Sequence, residues 1–147
     1  MNTTIDTLLE FKGHQIYSVP SSTTVVEAVR EMNKHNIGSV LVMDSGRLVG
    51  LFSARDVLRK VIAEEYDPRT TAVSQVMKVQ YPVLTPAMTS DEAMRIFEEQ
   101  HCRHLPVIHD GLVIGVISIG DLSRWCATAD RAEAESLRNY ITASLSS

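Results

Sequence analysis

Two copies of Ser-x-x-Asp hold the residues best suited to chemistry in this chain: Ser53 with Asp56, and Ser118 with Asp121. Each belongs to a longer pattern of Gly, two apolar residues, Ser, two residues and Asp, which runs over residues 50–56 and returns over 115–121 at a constant offset of 65. A hydroxyl and a carboxylate three residues apart at a helix start accept the orphan N–H groups of the first turn. The acid also lies at the positive end of the helix dipole, so the pattern reads as a capping box. The same two groups form a compact acceptor pair beside backbone N–H groups that favour an anion. Capping and ligand binding are compatible, since an aspartate can orient the loop and still reach outward.

The flanks of the two patterns repeat element by element. Residues 15–20 read as a brief extended segment closed by Pro20, and Thr24 with Glu27 sets a capping box for a helix whose inner face is Val25, Ala28, Val29 and Met32. That helix is expected to end near residues 36–38. The apolar run 39–43 suits a strand buried on both faces, Ser45-Gly46 supplies the turn, and residues 48–52 pair back as the next strand. A helix follows from Asp56 to Ile62, with Val57, Val61 and Ile62 directed at the core. The second copy has an extended segment at 81–86, Thr89 with Glu92, Met94 and Phe97 on the inner helix face, a strand at 105–108, and the hairpin signal Asp110-Gly111. It closes with a strand at 112–117 and a helix from Asp121 onward. The resulting fold class is α/β: two tandem strand-helix-strand-strand-helix repeats.

Five segments follow from this reading: an N-terminal docking helix (1–13), repeat 1 (14–63), a linker (64–78), repeat 2 (79–127) and a C-terminal helix (128–147). Ile5, Leu8 and Leu9 stand at helical spacing before Gly13; Val73, Val76 and Met77 suggest one or two helical turns at the end of the linker; Leu137, Tyr140 and Ile141 give the last helix its apolar face.

Composition bounds the function classes. With 147 residues the chain can bury roughly two-thirds of its unfolded surface as one compact unit, with no metal or disulfide required. Its net charge is −4 with both signs interspersed, which gives no basic footprint for nucleic acid. Cys102 and Cys126 make no disulfide framework, no secretory leader pattern opens the chain, and no apolar run nears the roughly 20 residues of a bilayer span. A reducing, cytoplasmic setting without membrane contact is expected. His101-Cys102-x-His104, with His109 behind, invites a metal reading. Along a strand, however, Cys102 and His104 share a side that His101 does not, and no second ligand pair stands at zinc-like spacing, so no metal site is expected. Cys126 has no histidine base in its sequence context and reads as a small buried thiol. With no carboxylate pair or nucleophile-base constellation, no enzymatic role and no catalytic cofactor are expected.

Two such units in tandem resemble a CBS domain pair, the module named after cystathionine β-synthase. The resemblance rests on residues 37–42 with 50–56, and on 103–107 with 115–121, and it covers roughly residues 14–127. It implies pseudo-twofold packing and two clefts between the repeats that bind adenosine-containing ligands: AMP, ADP, ATP or NAD. A ribose presents two neighbouring hydroxyls, and a carboxylate accepts from both, which gives Asp56 and Asp121 a role.

By the same resemblance, Leu51, Ser53, Arg55 and Asp56 face Lys78, Val83, Cys102 and Arg103 across the first cleft. Val116, Ser118 and Asp121 face Lys12, Tyr17, Ile37 and Gly38 across the second, with His104 and His14 nearby. Arg55 in one copy stands where the other has Gly120, so the clefts are chemically unequal. The first gathers Lys78, Arg103 and Arg55 and suits a polyphosphate or dinucleotide; the second, with the weaker cations Lys12, His104 and His14, is expected to be occupied too, or to take a less charged ligand. The resemblance further implies a homodimer, built with the apolar faces of the helices after Asp56 and Asp121, and a regulatory module whose output acts on a separate protein partner or by altering the dimer itself. The alternative is a structural or stress-response interaction protein whose clefts are vestigial.

Overall fold

The computed structural model describes residues 3–127 and Asn139, so the expected C-terminal helix at 128–147 lies almost wholly outside the described residues. The chain runs α1 (Ile5–Lys12), β1 (Ser18–Val19), α2 (Val25–Lys34), β2 (Ser39–Asp44), β3 (Arg47–Ser53) and α3 (Ala54–Asp56), which continues as a π-helical stretch over Val57–Ile62. A 3₁₀ turn (Val73–Gln75) leads to α4 (Ser90–Gln100), β4 (His104–His109) and β5 (Leu112–Ser118). A further helix, α5, is described over residues 119–127. The architecture is α/β in two matching halves.

Local chemistry explains the element boundaries. Thr24 and Thr89 cap α2 and α4 by accepting from the N–H of Glu27 and Glu92 at 3.3 and 3.2 Å. Each of these helices ends at a left-handed residue, Asn36 (φ 54°) and His101 (φ 53°), residue types that tolerate that region. The hairpin β2-β3 turns at Ser45-Gly46 and β4-β5 at Asp110-Gly111, all four with positive φ, matching the twist of the strands they join.

In the first half β1 pairs parallel with β2, and β2 antiparallel with β3. The second half has β4 antiparallel with β5, but its leading segment 81–86 keeps one parallel bridge, Leu84 to Val107, instead of a strand. Pro82 and Pro86 flank Leu84 and have no N–H to donate, which limits pairing to the residue between them. The helix after Asp56 also departs from expectation: Ala63 N–H donates to Leu58 O and Tyr66 N–H to Val61 O, five residues back in each case. Val61 is fully buried, whereas Ile62 is exposed and forms, with Leu58 and Tyr66, an apolar stripe at four-residue spacing.

Each half completes the core of the other. The first core, built on Val25, Ala28, Met32, Val42 and Phe52, is closed by Val73 and Val76 from the segment just before repeat 2. The second, built on Leu84, Phe97, Leu105, Val107 and Ile117, is closed by Ile5, Leu8 and Leu9 from α1, just before repeat 1. The hydrogen bonds match: Val73 N–H donates to Thr23 O as Ile5 N–H does to Met88 O, and Val25 N–H donates to Thr71 O as Ser90 N–H does to Thr3 O. Burying three large aliphatic side chains of α1 contributes on the order of 1.5–3 kcal/mol apiece.

Both seams run over a glycine. A Cβ at Gly115 would stand 2.6 Å from Leu9 Cδ2, a flexible side-chain end, whereas a Cβ at Gly50 would collide with Met77 Sδ and stand 3.0 Å from the Lys78 carbonyl oxygen. Backbone cannot step aside as a leucine tip can. Gly50→Ala is therefore expected to destabilise by about 1–3 kcal/mol in urea unfolding and Gly115→Ala by clearly less; equal losses would contradict the packing described.

Candidate functional site

A cleft of about 1160 Å³ lies between the halves and is lined from both, by residues expected at each of the two clefts. Its floor is where the chain leaves each last strand for a helix. Ala54 N–H donates to Gly38 O at 3.0 Å, and Ile119 N–H donates to Arg103 O at 2.8 Å, so each strand-to-helix corner is tied to the residue before its own middle strand. The two ends of the cleft meet at Gly38, where a Cβ would come within 3.8 Å of His104 Cε1.

At one end Asp56 is 3 % exposed. Its Oδ2 accepts from Ser53 N at 2.9 Å and from Ser53 Oγ at 3.1 Å, while Asp56 N donates back to Ser53 Oγ, a reciprocal capping box. Lys60, one turn along the same helix, stands 3.4 Å from Oδ1. Arg55 crosses the cleft and donates to His101 O at 2.9 Å, so its guanidinium links repeat 1 to the left-handed cap of α4. Lys78 joins repeat 1 through its backbone, exchanging two hydrogen bonds with Leu51 at 2.8 and 3.0 Å.

At the other end Asp121 is 9 % exposed. Its Oδ2 accepts from Ser118 N at 2.8 Å and pairs with Lys12 Nζ at 2.5 Å; its Oδ1 accepts from Arg124 Nη2 at 2.6 Å. Lys12 also donates to Val116 O at 2.6 Å. Burial alone would raise the Asp121 carboxyl, but hydrogen bonds from Lys12 and Ser118 and the Lys12 charge outweigh it and hold the group below the ordinary carboxylate range. His104 is pushed down, first by burial and then by the Lys12 charge; Asp121 pulls the other way by more than the Arg103 charge adds. Burial raises the Cys102 thiol, only partly offset by Lys78 and Arg55, which keeps it protonated at neutral pH.

Of the residues expected at the first cleft, Leu51, Ser53, Arg55, Asp56, Lys78, Cys102 and Arg103 line the cavity; of those at the second, Lys12, Tyr17, Ile37, Gly38, His104, Val116, Ser118 and Asp121 do. Val83 is not part of the wall and faces solvent. His14 is also outside it, its Nδ1 engaged with Ile114 O at 2.7 Å. Tyr17 lines the cleft with its ring stacked on His35, centroids 4.0 Å apart.

Sequence reasoning missed Tyr81, Arg59 and Arg124, which also line it. For the arginines a signal was present. Ser53, Asp56 and Arg59 recur as Ser118, Asp121 and Arg124 at the same offset, and a cation three residues past the acid lies on the same helix face. Among the described residues the wall holds six cationic side chains (Lys12, Arg55, Arg59, Lys78, Arg103, Arg124) and two carboxylates. A chain of net charge −4 thus concentrates positive charge in one cavity. No group of three or more His, Cys, Asp or Glu among the described residues is placed to hold a metal ion, and no described helix is long and apolar enough to cross a membrane.

The CBS domain profile matches residues 10–63 and 73–128. The chain belongs to the CBS domain family. The first match begins at the end of α1, after Ile5, Leu8 and Leu9, and the second begins at Val73, the first residue of the 3₁₀ turn. A mitochondrial CBS domain-containing protein, CBSX3 of Arabidopsis thaliana, is 32% identical over 149 aligned residues, covering 95% of this chain and 72% of that one. The CBS domain structure NE2398 superposes with a TM-score of 0.83 at 35% identity, covering 86% of this chain and 99% of that one. The CBS domain pair of MJ0100, in complex with 5′-methylthioadenosine and S-adenosylmethionine, superposes with a TM-score of 0.76 at 21% identity over 88% of this chain and 99% of that one; this likeness speaks for the fold.

The two perturbed groups at the Asp121 end set a pH dependence of stability. His104 binds its proton less readily in the folded chain than in the unfolded one, so stability falls as pH drops below about 6.5 through the lowered folded pKa. Asp121 has a depressed pKa, so its contribution is present above about 4 and is lost as pH falls through the folded value. Urea unfolding between pH 3 and 8 is expected to show both declines, with His104→Gln flattening the upper one and Asp121→Asn the lower. A His104→Gln protein with an unchanged upper limb would refute the assignment.

Proposed function

We propose that this CBS pair is a non-catalytic regulatory module that takes an adenosine-containing ligand in the cleft between its repeats. The observation that carries the reading is the coincidence, in one cavity, of buried carboxylates at helix starts with a cluster of cations. A ribose needs a fixed acceptor for its diol, and a phosphate needs positive charge and N–H donors nearby; the wall of the cavity holds groups of both kinds. Leu51, Ile37 and Val116 offer apolar wall for a flat base. The same fold holds two adenosine compounds in MJ0100, which supports the fold's capacity for such ligands.

AMP, ADP, ATP and NAD are the ligands that the charge suits, with Lys78, Arg103 and Arg59 disposed for phosphates at the Asp56 end. Ligand contact with both repeats would favour one relative arrangement of the two, and that differential affinity is the physical content of sensing. The change is read by a protein partner or through the assembly of the dimer itself. The two thiols suit a reducing compartment, cytoplasmic in our reading, although the Arabidopsis relative is described as mitochondrial.

A thermal-melt panel with AMP, ADP, ATP, NAD and S-adenosylmethionine tests the reading. A true ligand at a hundredfold over its dissociation constant stabilises by about 2.7 kcal/mol, several degrees for a chain of this size. An unmoved midpoint with all five would favour an interaction protein with vestigial clefts. We further propose a homodimer that covers Leu58, Ile62 and Tyr66. Sedimentation of Ile62→Asp should show a monomer where the wild type is dimeric, and identical sedimentation of the two would remove that face from the interface.

A further inference from the structure

The two ends of the cleft are not equally open. We infer that the Asp56 end is the vacant ribose site and that the Asp121 end is occupied by the chain's own cations, a clasp of Lys12 and Arg124 that limits the protein to one nucleoside ligand per chain. This rests on the adenosine reading of the cleft and specifies where in it the ligand goes.

A carboxylate has about four acceptor positions, two on each oxygen. On Asp121, Oδ2 gives both of its positions to Ser118 N and Lys12 Nζ, at 2.8 and 2.5 Å, and Oδ1 gives one to Arg124 at 2.6 Å. An incoming diol would need the volume that the ammonium and guanidinium fill, because its hydroxyls would have to sit at the same 2.5–3.0 Å from the same oxygens. It would also have to strip two cations from a carboxylate that is 9 % exposed, replacing charged partners by neutral ones. Lys12 is fixed from a second direction by Val116 O at 2.6 Å and belongs to the last turn of a helix whose body is core.

Asp56 is as deeply buried, at 3 % exposed, and differs in the partners it keeps. Its Oδ2 is satisfied by its own Ser53, and the cation near Oδ1 is Lys60, at 3.4 Å and from the same helix. Lys78, which aligns with Lys12 across the repeat, uses its backbone to bind Leu51. Arg59, the counterpart of Arg124, lines the cleft without an ion pair to Asp56 among the described residues. The cause of the difference is readable at one position. Arg124 Nη1 lies 3.4 Å from where a Cβ on Gly120 would stand, so the arginine folds back over the glycine to reach Asp121. In repeat 1 that surface carries the Arg55 side chain, which instead crosses to His101 O.

Equilibrium dialysis with labelled AMP and ATP, counting nucleotide per chain, tests the clasp. One nucleotide is expected on the wild type, at least a tenfold loss of affinity in Asp56→Asn, and two nucleotides on a Lys12→Met, Arg124→Ala double variant. If the double variant does not fold, Arg124→Ala alone vacates Oδ1 and should add a second, weaker site. Two nucleotides on the wild type, or one on every cation variant, would overturn the clasp and leave the adenosine reading standing. No nucleotide on any variant, the double one included, would instead overturn the adenosine reading and the clasp with it.

Discussion

The packing of Leu9 over Gly115 and of Met77 over Gly50 is the constraint on which the rest of this structure depends. The core of each repeat is closed by a leader segment that the chain delivers from the other side. Because the exchange is mutual, the two halves cannot separate without opening both cores. The cleft is a consequence. Two corners, each a strand handing over to a capped helix, are brought face to face by an exchange that takes place behind them.

That arrangement fixes the corners more firmly than local capping could. Ser53-Asp56 and Ser118-Asp121 each cap their helix, and each corner is tied by a backbone bond to Gly38 or Arg103. The carboxylates are therefore held before anything binds, with little ordering left for a ligand to impose. What differs between the ends is the cation that arrives. Lys12 arrives on α1, a helix whose Ile5, Leu8 and Leu9 are core, so its charge is delivered with the stiffness of a packed helix. Lys78 arrives on an irregular segment and spends its backbone on Leu51.

Much of this was legible in the sequence, and the reasons are physical. The repeat was visible because caps, hairpin turns and inward faces impose residue types at fixed spacings: Thr24 and Thr89, Ser45-Gly46 and Asp110-Gly111, Phe97 opposite Met32. The cleft residues followed once the family resemblance paired the corners. Exchange of the leaders was not legible, because Ile5-Leu8-Leu9 and Val73-Val76 show that they will be buried but not against which core. The partner of a side chain was equally hidden. Arg55 reads as a phosphate fork, yet its length lets it reach a carbonyl left exposed by a left-handed helix end, a feature of three-dimensional geometry. The resemblance places Val83 in the wall, but the segment between Pro82 and Pro86 keeps only the Leu84 bridge and Val83 is exposed.

The contrast of Arg55 with Gly120 carries more than a difference in local charge. An arginine at the second position of α3 spans to repeat 2, adding a polar tie across the cleft at the end where the carboxylate is least encumbered. A glycine at the same position of repeat 2 removes that tie and lets Arg124 fold inward onto the carboxylate of its own repeat, where Lys12 also arrives from α1. Both ends hold an acid and several bases. At one end a base spans to the opposite repeat; at the other the bases converge on the acid itself. The pseudo-twofold axis that relates the backbones therefore does not relate the electrostatics, and a single substitution between otherwise matching motifs is enough to break that symmetry.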